Sequence, residues 1–249
     1  MAQTDLSQFT EWTTIDPYDV DAGGHWKAAA ALRQMSMTAQ RHCRLIDPDN
    51  IVFTRYGLFW VLMRVRTELL RSPAEGERIE IFTKANAEKG RIFNRSFLFR
   101  DEAGARIGAA STVWLLLNLE TRNIGRLPEE SGLMHYVAPD FTWPTAPPRS
   151  IRCQWPVVRT QTRRVQYSDL DINRHMNNTR YMEWVTDLLG WPRLQTGFLR
   201  EFQINYLKEA AWDTEMELTL MEEGGAFCVR GRNRADGTVL FEACGQIAG

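Results

Sequence analysis

The sequence predicts an α+β fold made of two tandem copies of one unit, each a curved antiparallel sheet wrapped around a helix. Three observations carry this prediction. An Asp-x-Asp-x-x-x-His pattern occurs twice at a constant offset of 150 residues, at Asp19, Asp21 and His25 and again at Asp169, Asp171 and His175. Five of the ten prolines (Pro139, Pro144, Pro147, Pro148, Pro156) crowd into one stretch that can neither continue a helix nor serve a sheet ladder. After one helical segment in each half, the remaining segments alternate with the period of two that strands require. Further matches follow in the same order: Leu70-Arg-Ser-Pro-Ala with Leu207-Lys-Glu-Ala-Ala, then the Asp101-Glu-Ala-Gly turn with Ala235-Asp-Gly. Ordered matches of this kind mark an internal duplication. The expected boundaries are a first unit over 1–135, a proline-rich linker over 136–156 and a second unit over 157–249.

The elements can be taken in order. Each half opens on a short strand and a polar loop, followed by a helix expected over 26–42 in the first half and 176–189 in the second. Met182, Val185, Leu188 and Leu189 recur at helical spacing, and Gly190 and Pro192 supply stop signals. Four strands then follow. Val61, Met63, Val65, Thr67 and Leu69 are expected to share one face. In the second half the same is expected of Phe198, Arg200, Phe202, Ile204 and Tyr206, of Met216, Leu218 and Leu220, and of Val239, Phe241, Ala243 and Ile247. Two such units with matching edges would join into one continuous sheet, which also hides edge strands. The Ala28-Ala-Ala-Ala31 run would let the first helix sit close to its sheet or leave room for a ligand chain.

Composition narrows the function. Of 249 residues, 44% are hydrophobic and 24% charged, and 30 Lys plus Arg against 31 Asp plus Glu leave a net charge of −1. That balance disfavours nucleic acid as a partner. No apolar run approaches the roughly 18 residues of a membrane span, and residues 1–11 show neither a cationic start nor an apolar core. Cys43, Cys153, Cys228 and Cys244 have no metal-knuckle spacing and read as reduced thiols of a cytoplasmic protein.

The densest polar cluster is Ser168-Asp-Leu-Asp-Ile-Asn-Arg-His-Met-Asn-Asn178, at the start of the second helix. It sets carboxylate, amide and imidazole beside free backbone N–H groups, which can hold an oxyanion while an acyl carbonyl is attacked. Simple N-capping would need one such residue and not the set. Glu209, at the end of the strand expected over 198–208, is the second candidate. Flanked by Ala210 and Ala211, it is expected to be half-buried with a raised pKa and to act as general base on a water. Taken by itself it reads more readily as a solvated strand-end residue, and only a family resemblance favours the catalytic reading.

The run Asp169-Leu-Asp-Ile-Asn-Arg-His-Met-Asn-Asn-Thr-Arg-Tyr-Met-Glu-Trp184 resembles the signature of acyl-[acyl-carrier-protein] thioesterases of the plant FatA/FatB type and their bacterial relatives. Tyr206-Leu-Lys-Glu-Ala210 resembles the second motif of that family. Weaker likeness runs through Trp60-Val-Leu-Met-Arg64 and from Val113-Trp114 to Thr121-Arg122. The resemblance implies two hotdog domains in one chain and hydrolysis of fatty acyl thioesters on acyl carrier protein, a step of fatty acid biosynthesis. It places the catalytic Asp, Asn, His and Glu on Asp171, Asn173, His175 and Glu209; the two Asn that follow, Asn177 and Asn178, are further candidates for substrate contact. Plant members have Cys after that Glu, where this chain has Ala210, so a thiol nucleophile is excluded at that position. Met176 replaces the usual Val.

The first half keeps Asp21 and His25, but Gly23 stands opposite Asn173 and Ser72 opposite Glu209. One site per chain is therefore expected, carried mainly by the second half, with the first half shaping the acyl pocket and His25 a structural remnant. No Gly-x-Ser-x-Gly elbow, Walker loop or dinucleotide fingerprint is present, and no cofactor is expected. A metal on Asp171, His175 and Glu209 is disfavoured by the single His. Arg163, Arg164, Arg174, Arg180, Arg193, Arg200 and Lys208 form a local basic excess that would suit the acidic carrier protein. Competing readings are an acyl-CoA thioesterase, a hotdog hydratase (disfavoured by the Asn-Arg-His spacing) and a non-catalytic acyl-binding module. Homodimerisation is left open.

Overall fold

A computed structural model describes residues 5–88, 91–138 and 141–249. Residues 1–4 of the N-terminal segment and 139–140 of the linker lie outside that set. The strands are β1 (Gln8–Thr14), β2 (Leu58–Leu69), β3 (Arg78–Glu88), β4 (Ile92–Arg100), β5 (Arg106–Asn118), β6 (Val157–Arg164), β7 (Phe198–Tyr206), β8 (Glu215–Glu223), β9 (Ala226–Asn233) and β10 (Val239–Ala248). The helices are α1 (Ala28–Ile46), α2 (Ile51–Thr54), α3 (Asn178–Leu189) and α4 (Trp191–Leu194). All ten strands join one antiparallel sheet in the order β1-β3-β4-β5-β2-β7-β10-β9-β8-β6. The second five repeat the topology of the first five with the direction reversed, and α1 packs on α3 against one face of the sheet. This is the α+β tandem hotdog architecture.

The duplication is visible bond by bond. In the first half, Asp21 N–H donates to His25 O, Gly24 N–H to Asp21 O and Lys27 N–H to Asp19 O. In the second, Asp171 N–H donates to His175 O, Arg174 N–H to Asp171 O and Asn177 N–H to Asp169 O. Gly24 and Arg174 both take positive φ, 79° and 65°. The tight turn demands that geometry, which glycine adopts freely and arginine rarely. Where the units meet, β2 pairs β7 with Arg66 opposite Gln203. The alignment that matches Leu70 with Leu207 also matches these two residues, so they lie on the pseudo-twofold axis. Glu68 and Glu201 face each other there, and Arg66 reaches both carboxylates, at 3.0 and 2.7 Å.

A single core runs through both units, from Trp26, Leu32 and Met35 to Val185, Leu188, Phe202 and Phe241. Apolar burial that spans both halves stabilises their association. The Ala28–Ala31 run is buried within the core. The described part of the linker is strapped to the sheet at Thr145 and Arg149. Gln203 Nε2 and Asn205 Nδ2 both donate to Arg149 O, and Ser111 hydrogen-bonds Thr145. These contacts cover polar groups on the sheet face opposite the helices, which a bare sheet would leave to water.

Several expectations are corrected. α1 starts at Ala28 and runs on to Ile46, and α3 starts at Asn178 rather than Met176. The β2 stripe does not hold along its length. A register shift between Leu62 and Arg64 exchanges its faces, so Leu58 and Leu62 are buried on one side of the shift and Val65, Thr67 and Leu69 on the other. A second shift, between Gln246 and Ile247 of β10, does the same to β7. Leu199 is buried and Arg200 exposed, while Phe202, Ile204 and Tyr206 keep the expected face.

Candidate active site

The loop before α3 and the end of β7 meet because Met176 N–H donates to Ala210 O at 2.8 Å, with a bridge between His175 and Ala211. That contact sets Glu209 beside His175, with Glu209 Oε2 3.5 Å from His175 Nε2. The His175 side chain is 29% exposed and that of Glu209 52% exposed, so Glu209 is less buried than its apolar neighbours suggested. Its other oxygen, Oε1, lies 3.9 Å from Arg122 Nη1. Arg122 belongs to the first half, in the turn after β5, at φ 57° and with its guanidinium over the Phe59 ring. The sequence carried Thr121-Arg122 as part of the resemblance but gave no sign that it reaches the second half.

Asp171 serves the loop. Its Oδ1 accepts from Asn173 N–H at 2.8 Å, and its own N–H holds the His175 carbonyl. Asn173 is exposed, two residues from His175. Asp169, one turn earlier, is buried and ion-paired to Arg180 at 3.1 Å, which fixes the loop to α3. Tyr181 reports how close the carboxylates are. Burial pushes its phenol well above the ordinary value, and the charges of Glu209 and Asp171 add to the rise.

The oxyanion donors differ from those expected. Met176 N–H is taken by Ala210, and Asn177 N–H by Asp169. Asn177 caps α3, its Oδ1 accepting from Thr179 N–H and Oγ1 at 2.9 and 2.8 Å. Asn178 N–H has no partner among the described residues, and Tyr206 Oη donates to Asn178 O at 2.9 Å, steadying that peptide. Asn178 thus offers the free N–H at the positive end of α3. In the first half the corresponding helix start is Lys27 and Ala28, with no side-chain cap. There Trp26 N–H turns to Ser72 Oγ, and the carboxylate paired with the imidazole among the described residues is Asp21, 3.6 Å from His25.

A cavity of about 840 Å³ opens beside this helix start. Asp171, Asn177, Asn178 and Thr179 line one part of it. The rest comes from α1, α2 and the loop between them, from β2 to β5 and from the segment after β5, including Met37, Val52, Phe93 and Leu133. Most of the lining residues come from the first half of the chain. Among the described residues no group of His, Cys, Asp and Glu has metal-binding geometry. All four cysteines are free thiols, and no helix is long and apolar enough to cross a membrane.

The basic excess is largely spent internally. Arg163 pairs with Asp187, Arg164 with Asp213 and Glu215, Arg180 with Asp169 and Glu183, and Arg193 with Glu222. Arg200 hydrogen-bonds Gln246. Arg174 and Lys208 make no ion pair among the described residues and remain as free cations beside the site.

Residues 7–133 match the family model for the acyl-ACP thioesterase N-terminal domain, and residues 157–238 match that for the acyl-ACP thioesterase C-terminal domain. The chain belongs to the acyl-ACP thioesterase family. An acyl-ACP thioesterase from Bacteroides thetaiotaomicron superposes with a TM-score of 0.84 at 26% identity, covering 97% of this chain and 98% of that one. The 12:0-ACP thioesterase from Umbellularia californica shares the fold at TM-score 0.83 and 19% identity, covering 100% and 99%. The chloroplastic palmitoyl-acyl carrier protein thioesterase of Cuphea hookeriana is 23% identical over 242 residues, 87% of this chain and 55% of the relative. The chain spans about half the length of the curated acyl-ACP thioesterases it matches.

Proposed function

We propose that this chain hydrolyses fatty acyl thioesters of acyl carrier protein and releases the free fatty acid. The observation that carries the reading is the Glu209–His175 contact of 3.5 Å, next to a helix start that borders a tail-sized cavity. In this reading the acyl tail enters the cavity of the first unit (1–135), and the thioester stops at the mouth, in the second unit (157–249). The Asn178 N–H receives the carbonyl oxygen, which gains charge as water attacks. Glu209, held between Arg122 and His175, takes a proton from that water. The tetrahedral intermediate then expels the sulfur, which receives a proton through His175, giving acid and thiol. Asp171 keeps the loop in register, Asn173 on the exposed rim meets the arriving thioester, and Asn177 and Asn178 frame the entrance. No thiol nucleophile is required.

The carrier-protein partner is read from the free cations Arg174 and Lys208 at the rim and from the family. The test is a hydrolysis assay on carrier-protein thioesters of graded chain length, run beside the same acyl groups on coenzyme A. Faster release from carrier protein supports the reading. Equal or faster release from coenzyme A assigns the chain to acyl-CoA hydrolysis, and tight acyl binding without release assigns it to an acyl-binding module.

A further inference from the structure

Arg95 on β4 is only 6% exposed, yet no carboxylate pairs with it among the described residues. Its Nη1 donates to His42 Nδ1 at 2.8 Å and to Thr83 Oγ1 at 3.2 Å, and its Nη2 reaches Cys43 Sγ at 3.6 Å. These partners are an imidazole, a hydroxyl and a thiol, and none is a carboxylate. His42 is fully buried, and its Nε2–H donates to Leu6 O at 2.9 Å, which leaves Nδ1 as the acceptor for Arg95. Burial, together with the Arg95 charge, pushes the His42 imidazole down to about 4, so it stays neutral.

A buried guanidinium without a counter-charge is costly, and such a group calls for a partner. Arg95 and Cys43 both line the cavity assigned to the acyl tail, and Ser36, Gln40 and Asn94 line it too. An unsubstituted hydrocarbon tail offers this wall no acceptor and worsens the desolvation of Arg95. An oxygen on the tail would receive a charge-assisted hydrogen bond in a dry setting.

We propose that Arg95 forms a cationic subsite inside the acyl cavity and selects acyl chains that carry a hydroxyl or oxo oxygen along their length. The proposal rests on the assignment of this cavity to the acyl tail, and its test needs no hydrolysis. A saturated fatty acid and its monohydroxy isomers of the same length compete with a fluorescent fatty acid for the intact protein. A hydrogen bond to a charged donor is worth about 1.5–3 kcal/mol, so one isomer is expected to bind about tenfold to a hundredfold more tightly than the parent acid. The Arg95→Met variant is expected to level that difference. A second readout needs no variant: the Arg95 guanidinium resonance should shift with the preferred isomer and stay unmoved with the parent acid. The subsite is overturned if no isomer outbinds the parent acid, if the advantage survives in Arg95→Met, or if the resonance is indifferent to the hydroxyl. If no fatty acid displaces the probe at all, it is the assignment of the cavity that fails.

Discussion

Lowering the pH from 7 to 4 removes a stabilisation that one buried imidazole maintains. In the unfolded chain His42 binds a proton near its ordinary 6.5, whereas the folded chain refuses that proton until about 4. Between those values the unfolded state holds more protons, so stability falls as the pH falls, and below about 4 this group contributes no further loss. The gap corresponds to about 3 kcal/mol, a large share of the roughly 5–15 kcal/mol typical of a domain. The cause is local. Burial of the ring, with Phe9 stacked on it at 5.8 Å, comes first and the Arg95 charge on Nδ1 second, while the Leu6 carbonyl and the more distant Asp5 carboxylate only partly offset them. Urea unfolding of the wild type and of His42→Gln at pH 7, 5.5 and 4 isolates the effect, because the remaining carboxylates titrate in both proteins. The wild type is expected to lose about 3 kcal/mol more than the variant over that range. Parallel losses in the two proteins would refute the reasoning.

Three further outcomes are expected. Gly245→Ala places a Cβ 2.2 Å from the Glu201 carbonyl in the β7–β10 ladder, and thermal unfolding should show a loss of about 2–4 kcal/mol. Arg180→Met leaves the buried Asp169 carboxylate without its cation and should lower unfolding free energy by about 2 kcal/mol in denaturant titration. Reversing the charge of both Arg174 and Lys208 should raise KM for carrier-protein thioesters several-fold and spare short uncharged pantetheine thioesters, as steady-state kinetics would show. Equal effects on both substrates would remove these cations from docking.

The duplicated loop was legible because its geometry constrains its residues. Asp at the first turn and His before the helix occupy the same hydrogen-bonded frame in both halves, and the 150-residue offset survives in the bonds themselves. Proline marked the strap for the same kind of reason, since its ring forbids both ladder and helix. The bulges near Met63 and Arg200 were not legible, because a one-residue shift leaves the run of apolar residues intact while exchanging its faces. The helix start moved two residues because Met176 N–H bonds across to Ala210, a long-range contact that no local pattern encodes. Arg122 and Arg95 were missed for the same reason: what matters about them is what they meet in space. The basic excess misled in the other direction, because most of its arginines find carboxylates within the fold.

The proposed hydrolysis depends on Glu209 acting on water beside His175. The most direct measurement is the turnover of Glu209→Gln on a fatty acyl carrier-protein thioester, read against its melting temperature. The side chain is half exposed and takes no part in the core, so the variant should melt with the wild type while turnover falls by about 10²–10⁴-fold. Turnover within a few-fold of wild type would contradict the proposed role of the carboxylate.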